Sequence, residues 1–154
     1  MSRITYSLAD LNIIITKHLL PIIQDGTILL LYGQLGAGKT TLVKALVRQL
    51  GIQADVSSPT FTYVNTYTSS TGSLTINHFD LYRLRLAEEF VVLGFDEFLT
   101  QKNSLIIIEW PEVIKELLLN QKNSTQNIIT IQLSHDFKKP ETRFLEIQTI
   151  SSNE

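Results

Sequence analysis

Apolar residues fall along this chain in three rhythms, and each rhythm predicts a kind of element. Thr27 to Tyr32 and Ser104 to Glu109 are almost solidly apolar, without alternation. A strand covered on both faces reads that way, so both are predicted as central strands of a parallel sheet. Leu8, Leu11, Ile14, Ile15, Leu19 and Leu20 recur at helical spacing behind Ser7. Ser7 is a predicted N-cap, and Asp10 stands at the third helical position, where a carboxylate suits the helix's positive end. Pro21 is expected to end or kink that helix. Lys39 to Leu50 is a second predicted helix, with Leu42, Ala45, Leu46 and Leu50 inward and Gly51 as its stop. Phe61 to Thr68 and Leu74 to Phe79 are strand-like, and the polar link Ser69 to Ser73 joins them into a predicted hairpin. Glu88 to Leu93 reads as a short helix halted at Gly94, and Pro111 to Leu119 as a helix opening on proline. Alternation returns in Ile128 to Leu133 and Arg143 to Ile150, a predicted antiparallel pair that follows a polar link at Gln121 to Asn127. Ile4 to Tyr6 is a short candidate edge strand. The sum predicts one α/β domain over residues 1–154, its mixed sheet parallel in the centre and antiparallel at the edges.

Composition narrows what such a domain does. With 44 % hydrophobic and 18 % charged residues the chain has the material for a packed core. Thirteen Lys and Arg against fifteen Asp and Glu argue against a grip on nucleic acid by overall charge. The absence of cysteine excludes disulfides, thiolate-bound zinc and thiol catalysis. His18, His78 and His135 are too scattered to suggest a metal cage. No stretch approaches the roughly 18 apolar residues of a membrane span. The N-terminus lacks the apolar core of a signal peptide, so the expected location is cytoplasmic. Asn123-Ser124-Thr125 is accordingly read as a polar turn and not as a glycosylation site.

Gly33-Gln34-Leu35-Gly36-Ala37-Gly38-Lys39-Thr40 satisfies G-x-x-x-x-G-K-[ST] in full, between a predicted buried strand and a predicted helix. Glycines let successive backbone N–H groups turn toward a phosphate, and the following helix adds its positive end. The expected nucleotide-binding set is Gly33, Leu35, Gly36, Ala37, Gly38, Lys39, Thr40 and Thr41. Lys39 is expected on the β- and γ-phosphates and the Thr40 hydroxyl on magnesium. Such a loop needs an acid at a neighbouring strand end, and two candidates stand there. Glu109 closes the run Leu105-Ile106-Ile107-Ile108 as in a Walker B strand, with Glu where Asp is commoner. Asp80 ends Leu74 to Phe79 in the same manner. Each acid can equally cap a turn or face water. Trp110, next to Glu109, reads from chemistry alone as core packing or a lid. The implied fold is a P-loop NTPase-like three-layer domain.

Three further strings follow in order: Ser58-Pro59-Thr60-Phe61, His78-Phe79-Asp80-Leu81-Tyr82-Arg83 and Glu109-Trp110-Pro111. With the phosphate loop they closely resemble the TsaE (YjeE) family over nearly the whole chain. Those are small bacterial P-loop ATPases of the tRNA threonylcarbamoyladenosine (t6A) pathway. Gln34 departs from that pattern, where the family often has Asp. The resemblance implies ATP and Mg2+ as cofactors, with Thr40 and Glu109 as metal-binding residues. Lys39, Asp80 and Glu109 become the implied catalytic residues, Asp80 ordering the attacking water or a metal-bound water. Ser58-Pro59-Thr60 becomes a loop that senses the γ-phosphate, with Thr60 in contact with the nucleotide. Arg83 either meets transition-state charge or a partner, or forms a surface ion pair with Glu88 or Glu89. His78 either orients Asp80 or is simply packed and hydrogen-bonded. The implied partners are TsaD and TsaB, whose complex modifies adenosine 37 of certain tRNAs and is reset by ATP hydrolysis between turnovers. Contact with tRNA is implied only indirectly.

Rival readings remain distinct in chemistry. A small-molecule P-loop kinase needs an Arg-rich lid and an acceptor site, but Arg3, Arg48, Arg83, Arg85 and Arg143 are dispersed. A nucleotide-dependent scaffold that does not hydrolyse leaves Asp80 and Glu109 without a task. The N-K-x-D element of Ras-like GTPases is absent, which favours ATP.

Overall fold

Ile28 and Leu30 pack on one side of their strand and Leu29 and Leu31 on the other, all within the protein interior. That double burial makes the segment a central strand, as its unbroken apolar run predicts. The computed structural model describes residues 3–120 and 127–150. The polar link from 121 and the turn at Asn123-Ser124-Thr125 lie outside the described residues, save for Asn127.

Among the described residues seven strands form one sheet. They are β1 (Arg3–Tyr6), β2 (Ile28–Tyr32), β3 (Val64–Thr68), β4 (Thr75–Asp80), β5 (Ser104–Glu109), β6 (Ile128–His135) and β7 (Arg143–Ile150). Their spatial order is β1-β7-β6-β2-β5-β4-β3. The four central strands β6, β2, β5 and β4 run parallel. The pairings β1–β7, β6–β7 and β3–β4 are antiparallel. The predicted parallel centre and antiparallel edges are therefore both present.

Helices cover both faces. A helical segment over 8–22, with α1 (Leu11–Ile14) inside it, and α2 (Lys39–Gln49) pack on the face of Leu29, Leu31, Leu105 and Ile107. α3 (Ala87–Val92), a 3-10 helix at Phe95–Thr100 and α4 (Lys115–Asn120) lie on the face of Ile28, Leu30, Ile106 and Ile108. On that second face Phe79 meets Phe90, Phe95 and Phe98 with ring centroids 5.4–5.8 Å apart. These tilted and edge-on contacts are the favoured aromatic geometries.

Local chemistry explains the element ends. Ser7 N–H and Oγ–H both donate to Asp10 Oδ2, at 2.9 and 2.7 Å, which caps the first helical turn. Those bonds hold the Asp10 carboxyl below its ordinary pKa. Pro21 does not end the first helical segment outright. It has no N–H to give to the carbonyl of Lys17, and the segment passes through a π turn at Ile15–Leu19 into a 3-10 turn at Leu20–Ile22. The hairpin's first strand begins at Val64, not at Phe61. The carbonyl of Pro59 accepts from Thr62 and Tyr63 N–H at 3.1 and 2.6 Å, and Tyr63 has φ 65°, so 59–63 is a turn. Pro111 opens a 3-10 turn, Pro111–Ile114, before α4.

The register brings three strand ends together. Leu31 pairs with Glu109, and Asp80 pairs with Glu109 from the other side. The glycine-rich loop leaves β2 at this same edge. Candidate chemistry from three separate parts of the sequence thus converges at the carboxyl ends of adjacent parallel strands, the usual ligand edge of such sheets.

Candidate functional site

The loop over residues 33–38 is shaped by what its glycines permit. Gly33 has φ 143°, and a Cβ built there would lie 2.5 Å from the carbonyl oxygen of Leu133 on β6. Only glycine fits so close to a neighbouring strand. Gly33→Ala is expected to lower stability by about 2–3 kcal/mol, or several degrees in Tm. A thermal melt indistinguishable from wild type would contradict this account of the loop's entry.

Lys39, the first residue of α2, folds back under the loop. Its Nζ donates to the carbonyls of Gly33 at 2.6 Å and Gln34 at 3.1 Å. The same ammonium sits 3.8 Å from the centroid of the Trp110 ring. Burial pushes the Lys39 pKa down, and the charges of Glu109, Glu112 and Asp80 pull against that shift. Trp110 holds its ring there with a backbone φ of 58°, an uncommon conformation for a bulky residue. Tyr82 flanks it, with ring centroids 5.0 Å apart. Trp110 is therefore a wall of the cleft that touches the loop's cation, while it also packs, partly buried, against the core on the Phe79 side of the sheet.

Beside the lysine, Thr40 Oγ1 donates to Glu109, 2.9 Å from Oε1 and 3.2 Å from Oε2. Glu109 is 2 % exposed at the end of β5. Asp80, at the end of β4, pairs with Glu109 in the register and lies on the same face of the sheet. Its Oδ2 accepts from the hydroxyls of Ser58 and Thr60, the latter at 2.7 Å, and its Oδ1 accepts from Tyr82 N–H at 3.0 Å. The two hydroxyls also touch, at 2.6 Å. One carboxylate thus ties the Ser58-Pro59-Thr60 loop to the sheet.

These groups line a cleft of about 440 Å3 whose walls include Leu35, Gly36, Gly38, Lys39, Thr40 and Thr41. Ser58, Thr60, Asp80, Tyr82, Glu109 and Trp110 complete it. Of the predicted nucleotide-binding set, Gly33 and Ala37 are not among the residues that line the cleft, and Ala37 is 1 % exposed. Leu35 stands out at 74 % exposure. His78 does not reach Asp80. Its Nε2 lies 2.8 Å from Glu109 Oε1. Arg83 lies over the Phe61 ring, 5.0 Å from its centroid, outside the cleft lining. Sequence reasoning missed the lysine–tryptophan contact and the histidine–glutamate pair. Both follow from neighbouring strand ends, which no local pattern encodes.

Among the described residues no three His, Asp or Glu side chains form a self-sufficient metal cage. Magnesium does not need one, since it is held by one or two protein oxygens together with substrate phosphates and water. Thr40 Oγ1 and the Glu109 carboxylate are hard oxygen donors side by side at the foot of the loop. The donor set fits that ion in company with a nucleotide.

A family model described as "Threonylcarbamoyl adenosine biosynthesis protein TsaE" matches residues 9–143. Curated relatives named tRNA threonylcarbamoyladenosine biosynthesis protein TsaE align in part. The Rickettsia felis protein is 43 % identical over 105 residues, 68 % of this chain and 59 % of that protein. The Synechocystis protein is 45 % identical over 96 residues, 60 % of this chain and 59 % of that protein. The Bacillus subtilis protein is 38 % identical over 99 residues, 64 % of this chain and 60 % of that protein. The chain thus spans 59–60 % of the length of these relatives. A crystal structure of YdiB from Bacillus subtilis matches the fold with a TM-score of 0.64 at 26 % identity, covering 97 % of this chain and 86 % of that one.

Proposed function

This chain belongs to the TsaE family, and from that membership and the geometry of the cleft we propose that it is an Mg2+-dependent ATPase acting as an accessory protein in tRNA t6A modification. It works with TsaB and TsaD, meets tRNA only through them, and resets their complex between turnovers in the cytoplasm. Residues 1–154 act as one P-loop ATPase domain in this reading. The observation that supports it most is the convergence of the phosphate loop, the Thr40–Glu109 pair and the Asp80-tethered 58–60 loop on one cleft.

Each residue has a task that its position suits. Backbone N–H groups of the loop and the start of α2 receive the phosphates. Lys39 exchanges the Gly33 and Gln34 carbonyls for phosphate oxygens, a stronger partner for a buried ammonium. Thr40 and Glu109 hold Mg2+, which supplies charge neutralisation to the transferring phosphoryl group. Asp80 orients the attacking water, and Thr60 with Ser58 senses whether a γ-phosphate is present. Among the cleft-lining residues Lys39 is the one cation. Transition-state charge is then incompletely met, and a partner's cation supplied in trans completes it. Hydrolysis by the chain alone is accordingly slow.

The test is ATP hydrolysis by the purified chain, alone and with TsaB and TsaD from the same source. The expected result is a slow basal rate that rises at least tenfold with the partners. Equal rates in both conditions would contradict the accessory role. Phosphate transfer to an added metabolite would place the chain among kinases.

A further inference from the structure

His78 and Glu109 lie on neighbouring parallel strands with His78 opposite Ile107 and Asp80 opposite Glu109. His78, Asp80 and Glu109 therefore share one face of the sheet, with His78 and Glu109 as diagonal neighbours. His78 is fully buried and Glu109 nearly so. We propose that His78 is a positioning residue, holding the Glu109 carboxylate in the orientation that serves the Thr40 hydroxyl and the divalent cation of the bound nucleotide. This rests on the reading of Glu109 as the acid that receives that cation.

The bonding around the ring supports it. An ionised carboxylate only accepts, so the proton of this contact belongs to His78 Nε2. In a neutral ring the other nitrogen, Nδ1, is then a bare acceptor, and it is buried with no hydrogen-bond partner. Burying an unpaired polar atom is unfavourable, and an apolar side chain would fill the same space without that penalty. What the histidine adds is the single bond to Glu109. Oε1 receives both Nε2–H at 2.8 Å and the Thr40 hydroxyl at 2.9 Å, while Oε2 is left with the longer 3.2 Å contact. One carboxylate oxygen is pinned, and the other is less committed. Outer partners of metal-binding side chains act in this way, fixing orientation through a second bond.

The experiment compares the factor by which Mn2+ tightens ATP binding, measured by calorimetry, in wild type, His78→Leu, His78→Gln and Glu109→Ala. His78→Leu should reduce that factor about tenfold or more while leaving metal-free ATP binding within about twofold. His78→Gln, whose amide still donates, should recover most of the loss. Unchanged Mn2+ enhancement in His78→Leu, alongside its loss in Glu109→Ala, would overturn the positioning role and leave the site assignment standing. Unchanged enhancement in Glu109→Ala would overturn both. Equal loss in the Leu and Gln variants, with equally lowered melting temperatures, would make His78 a packing residue only. Long-range 15N–1H spectra of the wild-type protein test the point without any substitution at 78. They should show the Nε2-protonated tautomer, with a signal that moves when Mg2+ is added to the ATP complex. An Nδ1-protonated tautomer would contradict the proposal.

Discussion

Lys39→Ala is expected to weaken ATP binding by about a hundredfold or more while leaving the fold intact. Each charge-assisted hydrogen bond from Nζ to a phosphate oxygen contributes roughly 1.5–3 kcal/mol, and each 1.4 kcal/mol is tenfold in affinity. The fold should tolerate the loss because burial disfavours the charged form of Lys39. Its pKa is lower in the folded protein than in an unfolded chain, with desolvation the main cause. The unfolded chain binds more protons between the two pKa values, so this group's contribution becomes more favourable as pH rises through that window. Burial of the charged form therefore opposes folding, and removing the side chain relieves that cost. The expected readings are a hundredfold weaker dissociation constant by calorimetry and a melting temperature no lower than wild type by more than a few degrees. Trp110, the sole tryptophan, lies over the Lys39 ammonium and offers a fluorescence reading of the same titration. Unchanged ATP affinity would remove the phosphate loop from the account.

Asp80→Ala is expected to bind ATP within about threefold of wild type and to lose hydrolysis by about a hundredfold to a thousandfold. Positioned acids and water-orienting groups typically contribute on that scale. Asp80 also tethers the 58–60 loop through two hydroxyls and its own backbone neighbour through Tyr82 N–H. Loss of the tether alone would slow the reaction by misplacing the loop, so Asp80→Asn is the sharper variant. The Asn oxygen still accepts from Tyr82 N–H, and its amide still meets the hydroxyls, but the negative charge is gone. Single-turnover hydrolysis in the partner complex should fall alike in both variants. Recovery of the rate in Asp80→Asn would make Asp80 a loop anchor and not a participant in the chemistry.

What the sequence discloses and what it hides divide along physical lines. Doubly buried strands carry an unmistakable signature, and Ile28 to Tyr32 and Ser104 to Glu109 are where their apolar runs place them. The phosphate loop is legible because its backbone demands glycine at fixed offsets. Phe61 to Tyr63 misleads because aromatics favour strands, whereas Pro59 captures the next N–H groups and turns the chain. The 3-10 helix Phe95–Thr100 carries its signal in Phe95, Phe98 and Leu99, a spacing too short to stand out alone. Contacts across strand ends are the least legible. His78 reaches Glu109 and not Asp80 because β4 and β5 are adjacent and in that register, a tertiary fact. Trp110 over Lys39 is hidden for the same reason, with a left-handed backbone that no periodicity announces.

The most direct test of the central claim is formation of threonylcarbamoyl-modified adenosine 37 over many turnovers by TsaB and TsaD, supplied with tRNA, an activated threonylcarbamoyl donor and ATP, in the presence and absence of this chain. The account predicts that modification proceeds past one equivalent per TsaD only when the chain is present and able to hydrolyse ATP, and that Asp80→Ala does not substitute for it. The same yield of modified tRNA with wild-type chain, with Asp80→Ala and with no chain at all would contradict it.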